Sequence, residues 1–285
     1  FEGGDELRLR LRVEQDREIR ESANVIGVLP GSRWPEQVVI VGCHHDAWGF
    51  GAADPLAGTI VQMETARILA ERARQGERPL RTVLFAAWGA EEFGIIGSVE
   101  WVEAHREAIA QYGVAYLNLD MAAMGLNLAA SASPALLAVV SDATEVKRVG
   151  DPGGGSDHVG FIHHLAVPVI GLSAHGAPAD MYHSNYDTVE WYRRAVGDDY
   201  ASAALVTRAT LDLVERLAYQ PLLPMRAGQI GHRVSAWASA LLERVGDDPQ
   251  RAALGAILHR GEALVTLAAP SDRWLDAQRA LGDAH

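Results

Sequence analysis

The chain has 285 residues, with 25 Lys and Arg against 37 Asp and Glu and a formal net charge of −12. Hydrophobic residues make up 48% and charged residues 22%, which excludes a disordered chain and supplies a core for one large domain or a domain with an appendage. An acidic balance without a basic run excludes a nucleic-acid binder; no stretch reaches the roughly 18 uninterrupted apolar residues of a membrane span, and the single Cys43 excludes an internal disulfide.

The sequence begins at Phe1, which reads as a fragment or a processed form, so a missing signal peptide carries no information. Residues 6–13 (ELRLRLRV) alternate polar and apolar and predict a strand with one face in water. Residues 24–29 and 38–42 (VVIVG) are short β-branched runs, the second suited to a fully buried strand, and the polar turn PGSRWPEQ separates them. From Leu56 to Arg74 apolar residues recur at helical spacing, predicting an amphipathic helix on a sheet. A strand is predicted at 81–88, a helix at 91–111, a strand at 114–119, a helix at 156–164, a strand at 166–173 and a helix at 196–218. Such alternation predicts one α/β domain, its mostly parallel sheet covered on both faces. Past the PLLP stretch at 221–224, Ile230, Val234, Trp237, Leu241 and Val245 form a helical stripe. Asp248-Pro249 then reads as an N-cap followed by Pro at the first helical position, opening a further helix, with a last one around Trp274.

Ligand sites in open α/β sheets lie outside the carboxyl ends of the strands. Acids and histidines accumulate there: Cys43-His44-His45-Asp46 and Asp54 after the strand at 38–42, Glu91-Glu92 after 81–88, Asp120 after 114–119, and Asp180, Tyr182 and His183 after 166–173. Imidazole with carboxylate is a zinc-type donor set. Two His and three acids suffice for two ions about 3.5–4 Å apart sharing one carboxylate.

The segments VVIVGCHHDAWGFGAADPLAG (38–58), RTVLFAAWGAEEFG (81–94), VAYLNLD (114–120), GGGSDHVGF (153–161) and MYHSNYDTVE (181–190) resemble the dinuclear zinc peptidases of the glutamate carboxypeptidase II and transferrin receptor group. The resemblance spans most of residues 24–218. It implies a three-layer zinc-exopeptidase α/β fold with a mostly parallel mixed sheet over 1–220, then a helical segment over 221–285 that belongs to a dimerisation-like domain. It implies two Zn²⁺ per chain, one on His44 and Asp120, the other on Glu92 and His183, with Asp54 between them. Glu91 matches the general base that deprotonates the metal-bridging water, Tyr182 the stabiliser of the oxyanion, and Asp46 the acid that orients His44. The Asp54-Pro55 bond corresponds to a cis peptide. The implied activity is hydrolysis of small peptides, the implied oligomer a homodimer through the helical segment, and the implied location extracellular, periplasmic or on the cell surface.

Other readings of the same residues stay open. Glu91-Glu92 also fit first-turn acids of a helix, Asp46 a loop cap, and Tyr182 a packed aromatic. His45 points away from His44 in an extended chain, His163, His164, His175, His232 and His259 match no motif, and Cys43 and Trp48 read as packing. A single-zinc acyltransferase of the glutaminyl cyclase type shares the fold, and a receptor-like relative would keep the fold as a binding module. The protease-associated domain that family members usually carry is missing, so recognition of a terminal glutamate does not transfer.

Overall fold

The computed structural model describes residues 10–144, 146, 148–246 and 249–282. Of the strand expected at 6–13, residues 6–9 lie outside the described residues, and 10–24 form no strand. Alternation alone does not make a strand without a neighbour to pair with.

Six strands form one sheet: β1 (Val25–Leu29), β2 (Trp34–His44), β3 (Arg81–Trp88), β4 (Gly113–Asn118), β5 (Asn127–Ala132) and β6 (Val169–His175), in the order β1-β3-β2-β4-β6-β5. The inner pairs β3–β2, β2–β4 and β4–β6 are parallel, while the edges β1 and β5 pair antiparallel. Helices α1 (Leu56–Arg74), α2 (Ile96–Ala104), α3 (Arg106–Tyr112), α4 (Leu137–Ala143), α5 (Val189–Ala195) and α6 (Ala201–Val214) accompany it.

Strand periodicity divides the core in two. Val39, Val41 and Cys43 of β2, with Val83 and Phe85 of β3, face a core shared with Val61 and Leu69 of α1 and Val206 and Leu213 of α6. Ile40, Leu84, Trp88 and Tyr116 face the opposite core, with Val102 of α2, Ile109 of α3 and Phe161. Where a strand is buried on both faces it carries no polar side chain at consecutive positions, and residues 38–43 of β2 and 83–88 of β3 read that way. The result is the three-layer α/β arrangement with a helical C-terminal segment.

The predicted helix at 91–111 begins only at Ile96, because Ile95 takes a left-handed φ of 61° and the chain before it turns. It also breaks at His105 into α2 and α3. In place of the helix at 156–164 there is one π turn, Gly160–His164. The helix at 196–218 appears as α6 continued by a π turn over Glu215–Tyr219.

The C-terminal segment is a hairpin of α7 (Ala227–Val245) and α8 (Gln250–Gly282). Asp248 lies outside the described residues, and the two helices expected beyond it are one, with Pro270 inside it. Gly231 and Gly261 let the pair approach closely: a Cβ on Gly231 would lie 2.5 Å from the Gly261 carbonyl oxygen. Arg226 donates to the Asp272 carbonyl and the Asp276 carboxylate, and Asp272 accepts from the Gly228 N–H at 3.0 Å. Asp151 accepts from Trp237 Nε1 at 3.0 Å and pairs with Arg233 at 2.8 Å, fastening α7 to the α/β part. By length and composition α8 over Gln250–Gln278 meets the requirement for a membrane span. Length and composition alone do not place α8 in a membrane, and in the structure it packs along α7.

Gly58, in the first turn of α1, sits against the end of β4: a Cβ there would lie 1.7 Å from the Leu119 carbonyl oxygen and 2.9 Å from Cys43 Sγ. Neither neighbour is a flexible side-chain end. Gly58→Ala should therefore lower stability by about 1–3 kcal/mol, the ordinary cost of overpacking. Urea unfolding measures it, and an unchanged midpoint would show that α1 can shift freely.

Candidate metal centre

The carboxyl edge of the parallel strands gathers the charged residues. His44 ends β2, Asp54 precedes α1, Glu91 and Glu92 follow β3, Asp120 follows β4, and Tyr182 and His183 occupy the turn before α5. The Asp54-Pro55 peptide is cis.

His44 Nε2 lies 3.2 Å from Asp54 Oδ1 and 3.2 Å from Asp120 Oδ1. His183 Nε2 lies 3.0 Å from Asp54 Oδ2 and 3.0 Å from Glu92 Oε2. The two oxygens of Asp54 thus face different histidines, making two three-residue clusters that share one carboxylate. An imidazole nitrogen carries at most one proton, so it cannot complete two hydrogen bonds to two carboxylates. Two acids converging on one nitrogen is instead how donors surround a cation. Ligands about 2.0–2.1 Å from a tetrahedral zinc stand roughly 3.3–3.4 Å apart, close to the separations here. Glu92 Oε1 is also buried without a hydrogen-bond partner among the described residues. The donor set fits zinc.

Supporting groups hold these donors by their backbones. Asp187, 3% exposed, accepts from the Ala53 N–H at 2.7 Å and the Asp54 N–H at 3.0 Å. Asp46 divides its work. Its backbone carbonyl lies 3.0 Å from His44 Nδ1, while its carboxylate, 3.6 Å from that nitrogen, accepts from the Glu91 and Glu92 N–H groups at 3.0 and 3.2 Å. The imidazole is therefore oriented by the main chain of Asp46, and the acid side chain sets the Glu91-Glu92 turn. Asn118 donates to Ser156 Oγ at 3.0 Å, and Ser156 donates to Asp120 Oδ2 at 2.9 Å. His183 holds a left-handed φ of 55°, a strain of about 1–3 kcal/mol for a non-glycine residue, and its ring stacks on Tyr182 with centroids 3.7 Å apart.

Burial and crowding shape the charges. Burial opposes a charge on His44, yet hydrogen bonds to Asp120 and Asp54 overcome it and lift its pKa to about 11. Burial raises Glu91 to about 7 and lifts Glu92, with the Asp54 carboxylate adding to the latter. Burial and then the Asp54 charge push Tyr182 up to about 12. Protons thus separate negative charges where cations would otherwise do so.

Sequence reasoning missed Asp187, Ser156 and Asn118. All three lay inside quoted motifs, but nothing in their spacing shows which backbone or side chain they reach. His45 points out of the centre, its Nε2 2.9 Å from the Ala23 carbonyl, and Cys43 is buried in the core. Trp48, read as packing, packs on Phe93, and it is also 51% exposed and lines the cleft with Asp54, Glu92 and His183.

The model of peptidase family M28 matches residues 24–207, which include every donor above. The chain belongs to peptidase family M28. Probable glutamate carboxypeptidase LAMP1 of Arabidopsis thaliana is 38% identical over 231 residues, covering 72% of this chain and 33% of that protein. Aminopeptidase NAALADL1 of Mus musculus is 29% identical over 300 residues, covering 90% of this chain and 40% of that one. The M28 chain therefore spans about a third to two fifths of these relatives' lengths. Among solved structures, the zinc aminopeptidase BSAP from Bacillus subtilis superimposes with a TM-score of 0.59 at 22% identity, covering 69% of this chain and 50% of that one. The aminopeptidase from Aneurinibacillus sp. strain AM-1 gives 0.58 at 23% identity, over 70% and 49%. These likenesses establish the fold, and zinc is the metal expected of an M28 peptidase.

Removing the Asp187 carboxylate leaves two buried N–H groups behind Asp54 without acceptors, at about 1–3 kcal/mol each. Asp187→Ala should destabilise the zinc-free protein by that amount and weaken zinc binding about 10–100-fold. Urea unfolding and chelator competition read the two effects, and an unchanged zinc affinity would remove Asp187 from the support of the centre.

Proposed function

We propose that this M28 chain is a zinc-dependent exopeptidase that hydrolyses small peptides. The observation that carries the proposal is the Asp54 carboxylate, one oxygen toward each histidine. His44 and Asp120 would hold one zinc, Glu92 and His183 a second, and Asp54 both. Bound zinc supplies a Lewis acid for the peptide carbonyl and lowers the pKa of water.

The chain's own groups account for the proton traffic. Glu91 is 9% exposed and its N–H is fixed by Asp46, so its carboxylate is held in a partly desolvated position beside the donors. It takes the proton of the attacking water and returns it to the leaving amine, which needs one group whose pKa lies near the working pH. Tyr182, with its hydroxyl kept protonated, donates to the oxyanion of the tetrahedral intermediate. Asp46, through its carbonyl, holds His44 with Nε2 toward the centre. A division near residue 220, with the α/β part catalytic and the α7–α8 hairpin an accessory segment, belongs to the same proposal.

Specificity does not follow the names of the relatives. Of Arg193, Arg194 and Arg226, the candidate grips for a substrate's terminal carboxylate, Arg226 is engaged by Asp272 and Asp276 and Arg194 by Glu190, while Arg193 is exposed on α5. The cleft at Asp54, Glu92 and His183 is lined by Trp48, Gly49, Gly51, Ser184 and Asp187, with no lysine or arginine among the described residues.

The purified protein should bind two zinc ions and lose peptidase activity with a chelator. Glu91→Gln keeps size and hydrogen bonding but cannot shuttle a proton, so kcat should fall about 10²–10⁴-fold with zinc content unchanged. Loss of zinc in Glu91→Gln would make Glu91 a ligand. A reproducible single zinc per chain would overturn the dinuclear reading in favour of a one-metal acyltransferase.

A further inference from the structure

The junction of α4 and α7 holds a cavity of about 370 Å³, which shares no residue with the two histidine clusters. Two ties frame it. Ahead of α4 the Ala135 carbonyl accepts from the Arg226 N–H at 3.0 Å, and further along α7 Asp151 accepts from Trp237 Nε1 at 3.0 Å. Residues 229–236 of α7 run between these ties and leave the cavity between themselves and α4. Gly228 and Gly231 lie against α8, whereas Gln229, His232, Arg233 and Ala236 line the cavity on a neighbouring face of the same helix.

The walls join an apolar side to a cationic one. Leu137 and Val149 pack on the main core and also line the cavity. Gln229, His232 and Arg233 supply its polar groups, and no acid lines it among the described residues, although the chain carries 37. Arg233 Nε lies 2.8 Å from Asp151 Oδ1 but out of hydrogen-bond alignment, so it is a buried donor without an acceptor among the described residues. Such a donor is costly until an acceptor reaches it.

We infer that this cavity binds a small monocarboxylate with an apolar tail and no free amine, the carboxylate on Arg233 and the tail against Leu137 and Val149. Its volume falls within the roughly 300–1,000 Å³ of small-molecule sites, which favour junctions between structural units. A guanidinium matches a carboxylate in shape as well as charge. An ammonium group would find no acid on the wall, and Asp151 is already engaged by Trp237 and Arg233, so a free amino acid fits poorly. The site stands whether or not the metal centre hydrolyses peptides.

The test titrates the zinc-loaded protein with isocaproate, with isocaproamide, which lacks the charge, and with L-leucine, which adds the amine. Proton–nitrogen NMR of the tryptophan indoles reads the site, because the Trp237 Nε1–H is bonded to the same carboxylate that Arg233 meets. Trp237 belongs to neither histidine cluster, so its signal does not report isocaproate held by zinc. The Trp237 signal should shift and saturate with isocaproate, while isocaproamide and leucine need about tenfold higher concentrations. Arg233→Gln removes the charge and Ala236→Trp fills the cavity without touching the ion pair, and each should raise half-saturation by about tenfold or more. The wild-type series decides the matter even if neither variant folds. A Trp237 signal that stays still, or that answers the three probes alike, overturns the assignment. So does a folded Ala236→Trp or Arg233→Gln that binds isocaproate as tightly as the wild type.

Discussion

Like charges cannot share a small volume without something positive between them, and the carboxyl edge of this sheet is built around that constraint. Asp54, Glu92 and Asp120 converge on two imidazoles, with Glu91 nearby and Asp157 fully buried. Burial, with the charges of Glu91 and Asp120 adding to it, pushes Asp157 to about 8. Two further acids escape the conflict by accepting hydrogen bonds. Asp46 and Asp187 each take two backbone N–H groups, which neutralises their charge locally and converts them into clamps on neighbouring donors. Of seven acids around the centre, two serve the chain and three are left aimed at the histidines.

The sheet makes this crowding tolerable. Parallel inner strands deliver their carboxyl ends to one edge, and the apolar layers on both faces keep those ends in place. Gly58 lets α1 close over the end of β4. Asp54 and Asp120 are thereby held near each other although 66 residues separate them in sequence.

How legible this was depends on where each element gets its stability. β2, β3 and β4 are buried on both faces, so their unbroken apolar runs mark them with no knowledge of neighbours. β5, NLAASA, carries little β propensity and exists because β6 pairs with it. The N-terminal alternation pointed the other way, to a strand that pairs with nothing. α8 shows tertiary override: two helices were expected, one after Pro249 and one around Trp274, but a single helix packed along α7 runs through Pro270. That the five residues of the two clusters would come together was legible because histidines and acids recur at the strand ends and because the motifs resemble a known family. Asp187 and Ser156 were not, since an acid or a serine in a loop has many local uses. The exposure of Trp48 was hidden for a similar reason, as an aromatic residue does not announce on which side of a cleft it stands.

The Asp187 clamp spans a long stretch of chain, 133 residues from the N–H of Asp54 and 134 from that of Ala53. Bringing the ends of so long a segment together costs chain entropy that grows as the logarithm of its length, about 4 kcal/mol by the simple ring-closure estimate. No fragment ending before Asp187 can make that contact, and no nascent chain can make it until most of the α/β part has emerged. The centre is therefore assembled by the completed sheet rather than by any local loop. A metal bound there would stabilise the whole tertiary structure by RT ln(1 + [L]/Kd), so free zinc concentration and resistance to proteases would be one linked quantity.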